Sequence, residues 1–364
     1  MASFRGESMA VRDWLRPPRH LVTLFLGITL VLMGTLGWLG WRLFRQERAL
    51  ERQRVQDRLE RGADVVATEL GRELSSVEDQ LGTLSAISPS DLPRAATEYA
   101  ERFSDDAVIV VLDANGVDAY PNARLLYYPV VSPGREPQAS VFARGEAYEF
   151  RDRNFVTASR VYRTLAQSGD STVRAGALLR LARTERKAGD AEAALATYGE
   201  LAALGSTSVG GLPAELVARG ARLDVLHEMG RSSDLRSEAE SLYNDLHSGA
   251  WRITRAQYEF YSADLCERIP CDQGEVAAAA ASSGSGHALA AGVEHLWDTR
   301  TALADNGREV RWIDESPVLL VWQHARDRIV GLVGGRRHLA SDWLASLKPL
   351  LERESIAVAV SRLL

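Results

Sequence analysis

The stretch GALLRLARTERKAGDAEAALATYGELAAL, residues 176–204, decides the fold class of this 364-residue chain. Leu178, Leu181 and Ala182 recur at helical spacing, the pattern breaks at Gly189-Asp190, and it resumes through Ala194, Tyr198 and Leu201. The stretch therefore reads as helix–turn–helix. Thirty-six residues before the second triplet stands the same one: Ala158, Tyr162 and Leu165. These six positions are expected to pack repeat against repeat, with the tyrosines in the core rather than in a ligand box.

The unit resembles the tetratricopeptide repeat, in which small residues let antiparallel helices approach and an aromatic fills the groove between pairs. Glu185 stands where that family places a tyrosine in the first helix. A third, degenerate unit spans about 213–247, with Gly230 at its turn and Leu242, Tyr243 and Leu246 in its second helix; its turn-to-alanine spacing is too long. The helical block is expected over residues 151–265, where three units are just enough to bury a continuous core.

Strand-like segments flank it. In 88–150, AVIVVL at 107–112 leads through Asp113-Ala114-Asn115-Gly116, a hairpin signal, and a second run follows at Leu125–Val131. In 309–364, Glu309–Ile313, Pro317–His324 and Arg328–Val333 read as strands. A helix from Ser341, which would cap it, to about Arg353 follows, kinked at Pro349, and then a strand begins at Ile356–Val360. A strand begun so close to the terminus implies a truncated unit. Between block and strands, 266–308 reads as two helices joined by the flexible link Ser-Ser-Gly-Ser-Gly. Cys266 and Cys271 bracket Pro270 there and are candidates for a small disulfide; two free buried thiols remain the alternative.

Toward the N-terminus, residues 21–41 (LVTLFLGITLVLMGTLGWLGW) carry no charge. At about 1.5 Å per residue they span roughly 30 Å, the thickness of a bilayer core. The bulky exit is unlike a signal-peptide cleavage site, so an uncleaved anchor is expected. The tail 1–20 has four arginines against two acids, which favours a cytoplasmic N-terminus and an extracytoplasmic body, at the inner membrane. Seven arginines within 42–61 weigh the other way. Residues 42–87 read as a long helix whose apolar positions Leu59, Ala63, Val66, Leu70, Leu74, Val77, Leu81 and Leu84 form a heptad seam with one stutter. Two readings follow: a coiled-coil-like stalk that makes a homodimer, or one helix laying its stripe on its own domain.

Composition is that of a globular protein, with 46% apolar and 25% charged residues and a net charge of −6, which removes a global electrostatic case for nucleic-acid binding. Lys187 and Lys348 are the only lysines among 43 basic residues, a bias of a GC-rich coding sequence rather than of chemistry. The seven histidines are scattered, with no His-Glu-x-x-His pair, no Walker lysine and no Gly-x-Ser-x-Gly. Arg336-Arg337-His338 reads as a solvated helix start. No catalytic, metal or cofactor site is expected.

The fold class expected is mainly α: a single transmembrane helix, a long coiled-coil-like helix, and tetratricopeptide-like hairpins flanked by small strand-containing (α+β) segments. In layout, the chain resembles the extracytoplasmic input region of bacterial sensor histidine kinases. The resemblance rests on WLGWRLFRQERALERQRVQDRLERGADVV at 38–66, VIVVLDANGVDAYP at 108–121 and VLLVWQHARDRIVGLVGG at 318–335. It implies a sensory module that binds a small molecule or protein and signals through the stalk. The phosphoacceptor helix and nucleotide boxes of such kinases are absent from the sequence, so no kinase activity is expected of it. The alternative is a stand-alone envelope scaffold that binds a protein partner through the repeats.

Overall fold

A computed structural model describes residues 19–122, 124–271, 274–325 and 327–343, together with 345 and 348. The described residues are mainly helical, with a five-stranded antiparallel sheet and a separate two-stranded hairpin. In order, it forms α1 (Arg19–Ala86), α2 (Leu92–Ala100), β1 (Ala107–Asp113), β2 (Gly116–Tyr120), α3 (Ala143–Glu146), α4 (Phe155–Leu165), α5 (Ser171–Lys187) and α6 (Ala191–Ala202). There follow the short hairpin β3 (Ser208–Val209) and β4 (Leu212–Pro213), then α7 (Ala214–Glu228), α8 (Ser232–His247), α9 (Arg255–Arg268) and α10 (Gly274–Thr299). Finally come β5 (Asn306–Ile313), β6 (Ser316–Ala325), β7 (Arg328–Gly334) and α11 (Arg336–His338), which continues as a π-helical turn, Leu339–Trp343.

The chain divides into two compact units, the first running to Thr68 and the second starting at Glu69. In the first, Thr23–Arg42 is long and apolar enough to cross a membrane, with mean hydropathy 1.8 and no buried residues.

In the second unit, the two strand-rich flanks are one structure. Five strands pair in the order β2-β1-β7-β6-β5, every neighbour antiparallel. β1 meets β7 with Val108 opposite Val333 and Val111 opposite Val330, so 88–150 and 309–364 are not separate segments. The reason lies in AVIVVL. Six consecutive buried residues mean that both faces of the strand are covered, which needs partners and layers on either side. Successive side chains alternate between faces. Val108, Val110 and Leu112 join Val318, Leu320 and Val333 against Ala288, Leu289, Val293 and Leu296 of α10. Ala107, Ile109 and Val111 join Leu319, Val321, Val330 and Leu332 on the other face, under α1 and α2.

That second face corrects the dimer-seam reading over half its length. Val77, Leu81 and Leu84 are buried against the chain's own sheet, with Leu70 and Leu74 packed beside them. An apolar sheet face has to be covered, and the nearest apolar stripe in sequence covers it. Of the remaining seam positions, Ala63 is exposed and Val66 half-buried, while the side chain of Leu59 lies outside the described residues.

Three further expectations change. Leu125–Val131 is not a strand: Leu125 to Tyr128 are all buried without alternation, and Tyr128 makes a single bridge to Thr254. The Ser-Ser-Gly-Ser-Gly stretch is no linker but part of α10, whose small residues let it lie close to its neighbours. A Cβ on Gly292 would sit 2.9 Å from Val318 Cγ1, and one on Gly286 3.2 Å from Leu126 Cγ. The last helix starts before Ser341, at Arg336. Ser341 Oγ donates back to Arg337 O at 2.6 Å instead of capping. Pro349, Arg353 and Ile356–Val360, and with them the truncation reading, lie outside the described residues, as does the tail up to Pro18.

Candidate functional site

Helices α4 to α8 pack each on the next in chain order. Local capping sets the turns: Asn154, Asp170 and Asp190 each accept from the first free amides of α4, α5 and α6, and Gly189 and Gly230 take positive φ at the breaks. Ala158, Tyr162, Ala194, Tyr198 and Leu201 are buried and Leu165 is half-buried. None of the six is among the residues lining the cavity beside β2.

Burial gives two carboxylates of this block their partners. Tyr162 Oη donates to Glu149 Oε2 at 3.0 Å, and Arg183 and Lys187 reach the same carboxylate at 2.8 Å each. Burial works to raise the Glu149 pKa, but the hydrogen bonds from Arg183, Lys187 and Tyr162 outweigh it and hold the group below its ordinary value. Glu185, in the place of a repeat tyrosine, is buried and bonded to Arg163 at 3.0 Å and Thr197 Oγ1 at 2.7 Å. Both sets are satisfied internally, as structural ion pairs are.

The cavity lies where the helical block meets the free edge of the sheet. It encloses about 630 Å³ between β2, the 122–134 loop, the β3–β4 hairpin and the segment 249–252. Trp251 and Tyr128 give it aromatic walls, and serines and glycines line much of the remainder. Its charged lining residues are Asp118 and Arg252. Arg252 donates from Nη1 to Asp118 Oδ1 and from Nη2 to Val117 O, both at 2.6 Å, and its guanidinium lies 4.8 Å from the centre of the Tyr128 ring. Trp251 is fixed by its Nε1–H donating to Glu215 Oε2 at 3.1 Å. Glu136 ties the loop to the hairpin, accepting from Ser208 Oγ at 2.8 Å and Gly211 N at 3.1 Å. Burial pushes the Tyr128 phenol above its ordinary value, against the opposing pull of Arg252, so it remains a hydroxyl donor at neutral pH.

The lining offers aromatic surface, a paired cation and carboxylate, and hydroxyl and backbone groups, the mixture of apolar walls and a few polar groups from which small-molecule pockets are built. No group of three or more His, Cys, Asp or Glu placed to hold a metal occurs among the described residues. Cys266 and Cys271, outside this cavity, are bonded to each other at 2.16 Å.

Sequence reasoning missed every residue of the cavity wall. Trp251-Arg252 after Gly249-Ala250 was the one local signal, an aromatic–cation pair following a turn. Comparisons with protein-family models, curated proteins and solved structures find no match to this chain.

Proposed function

We propose that the chain is a membrane-anchored sensory module of the kind that serves as input to bacterial sensor kinases. In this reading residues 21–41 hold it in the inner membrane with the N-terminus cytoplasmic. The body from Glu69 lies outside and binds a small molecule in the cavity beside β2. The observation that carries the reading is the double use of α1. The helix that contains the candidate span also supplies Val77, Leu81 and Leu84 as cover for one sheet face. The cavity is lined by Asp118 of β2, which pairs with β1 at Val111. A ligand that shifts β2 therefore acts on β1, and β1 forms part of the face on which α1 rests.

Two finer elements belong to the same proposal. Helices α4 to α8 form a degenerate tetratricopeptide-like insertion, supported by their sequential packing and by the equivalent burial of Ala158 with Ala194 and of Tyr162 with Tyr198. A homodimer forms through the first part of the seam, Leu59, Ala63 and Val66, supported by the exposure of Ala63.

The test is a thermal-shift survey of small polar and aromatic metabolites on the full chain in detergent micelles. A compound class that raises the unfolding midpoint of the wild type but not of Arg252→Ala or Tyr128→Ala is expected. No stabilising class at all, or equal shifts in the variants, contradicts the reading.

A further inference from the structure

The segment after β7 is stapled to the residues that lead into β1. Gly335 N donates to Asp106 O at 2.7 Å, and Arg337 N donates to Asp106 Oδ2 at 2.6 Å. From the other side, Ser104 N donates to Asp342 Oδ2 at 2.9 Å. His338 completes the staple, with Nδ1 2.7 Å from the same Asp342 oxygen. A carboxylate only accepts, so Nδ1 carries the proton and Nε2 holds the lone pair. That Nε2 is buried and has no hydrogen-bond partner. The ring itself is wholly buried. The Phe103 ring stands perpendicular to it with centroids 5.2 Å apart and the Trp343 ring lies at 5.8 Å, while Gly334 leaves the room a side chain would fill, since a Cβ there would lie 2.2 Å from His338 Cδ2.

We infer that the docking of residues 336–343 against residues 103–106 is acid-labile, and that protonation of His338 releases it. A proton added at Nε2 creates an N–H with no acceptor and a cation in a site closed to water, which is costly. The charged groups that face the ring are Asp342 on its own segment and Asp106 ahead of β1; Phe103, Trp343 and Gly334 bring no charge. Burial lowers the histidine's proton affinity, and the two carboxylates, which raise it, do not make up the difference. Asp342 remains ionised through the same range. Burial works to raise its pKa, but the Ser104 amide, His338 and Ser341 together hold it below its ordinary value.

The sign follows by linkage. The docked imidazole binds a proton less readily than an exposed one, whose pKa is about 6.5. Docking is therefore at full strength above that pH and weakens as the pH falls below it. Release uncovers Trp343, which is buried in the same apolar layer as α1 and α2. It also frees the chain that leaves the sheet. The device is separate from the ligand cavity and would operate without an occupant there.

The test is hydrogen exchange of the full chain in micelles at pH 7.5 and pH 5.5, corrected for intrinsic exchange rates. Protection of the amides of 336–343 is expected to fall several-fold more than that of β6, up to the roughly tenfold ceiling that one proton sets over this interval. His338→Phe, which fills the site without titrating, and His338→Asn, which keeps a donor toward Asp342, are expected to abolish the difference. Wild-type protection that does not respond to pH overturns the proposal without need of either variant. An equal loss in wild type and in both variants overturns it too.

Discussion

Arg183 grips both oxygens of the buried Glu149 carboxylate, Nε to Oε1 and Nη2 to Oε2, each at 2.8 Å. The pair joins α5 to the π-helical turn at Ala147–Arg151, and Lys187 and Tyr162 close the remaining sides of the carboxylate. Glu149→Gln removes the charge and leaves two cations facing a neutral amide. Breaking a fully buried pair costs about 3–5 kcal/mol, and because Arg183 and Lys187 are each about one-third exposed, a loss of about 2–3 kcal/mol is expected. The folded-state pKa is depressed, so the pair's contribution is present above about pH 4.5 and is lost as the pH falls below it. Urea unfolding should show a gap between wild type and Glu149→Gln at pH 7 that narrows at pH 3.5.

Leu81 separates the two readings of the seam. It is fully buried between α1 and the sheet, so Leu81→Ala should cost about 3 kcal/mol, as for other buried leucines. The loss should be the same at protein concentrations a hundredfold apart. If Leu81 instead lay in a dimer seam, the unfolding midpoint and the effect of the substitution would both move with concentration.

Gly292 lets α10 approach the sheet, with Val318, Val333 and Leu320 all within 3.3 Å of where a Cβ would stand. Gly292→Leu should destabilise by at least about 1–3 kcal/mol, the usual cost of overpacking. Gly169, which has open space around it, provides the control: Gly169→Ala should leave the unfolding midpoint almost unmoved.

The Cys266–Cys271 bond ties the last turn of α9 to a residue five positions further on. For so short a loop the chain-entropy argument gives about 2 kcal/mol. Reductant should lower the midpoint of the wild type by a few degrees and leave that of a Cys266→Ser/Cys271→Ser variant unchanged.

How much of this could be read beforehand differs from element to element. The helices of the central block were legible because 3.6-residue periodicity and turn residues such as Gly189-Asp190 are local. AVIVVL and Arg328–Val333 were each legible as strands, but their pairing was not, because nothing local encodes a register across more than two hundred residues. The β5–β6 hairpin was obscure for another reason. Its turn residues Asp314 and Glu315 both take positive φ, a conformation that Asn-Gly would have announced and Asp-Glu does not. The stripe from Leu59 to Leu84 was ambiguous in principle, since a helix on a sheet and a helix in a coiled coil present nearly the same spacing. The cavity was invisible because four separate stretches of chain build it, none with a period. His338 was read as solvated from its arginine neighbours, while its burial depends on Asp106 and Phe103, far away in sequence.

The most direct test of the account is where the body stands relative to the membrane. The two native cysteines are bonded to each other, so Val156→Cys, at a position 73% exposed, introduces the one free thiol. Intact cells, with the outer membrane permeabilised where there is one, are treated with a membrane-impermeant maleimide, and the membrane fraction is washed at alkaline pH. The account predicts that Cys at 156 is labelled as fully before lysis as after it, on a chain that stays with the membrane. Labelling only after lysis, or a chain released by the wash, would contradict a membrane-anchored extracytoplasmic sensor.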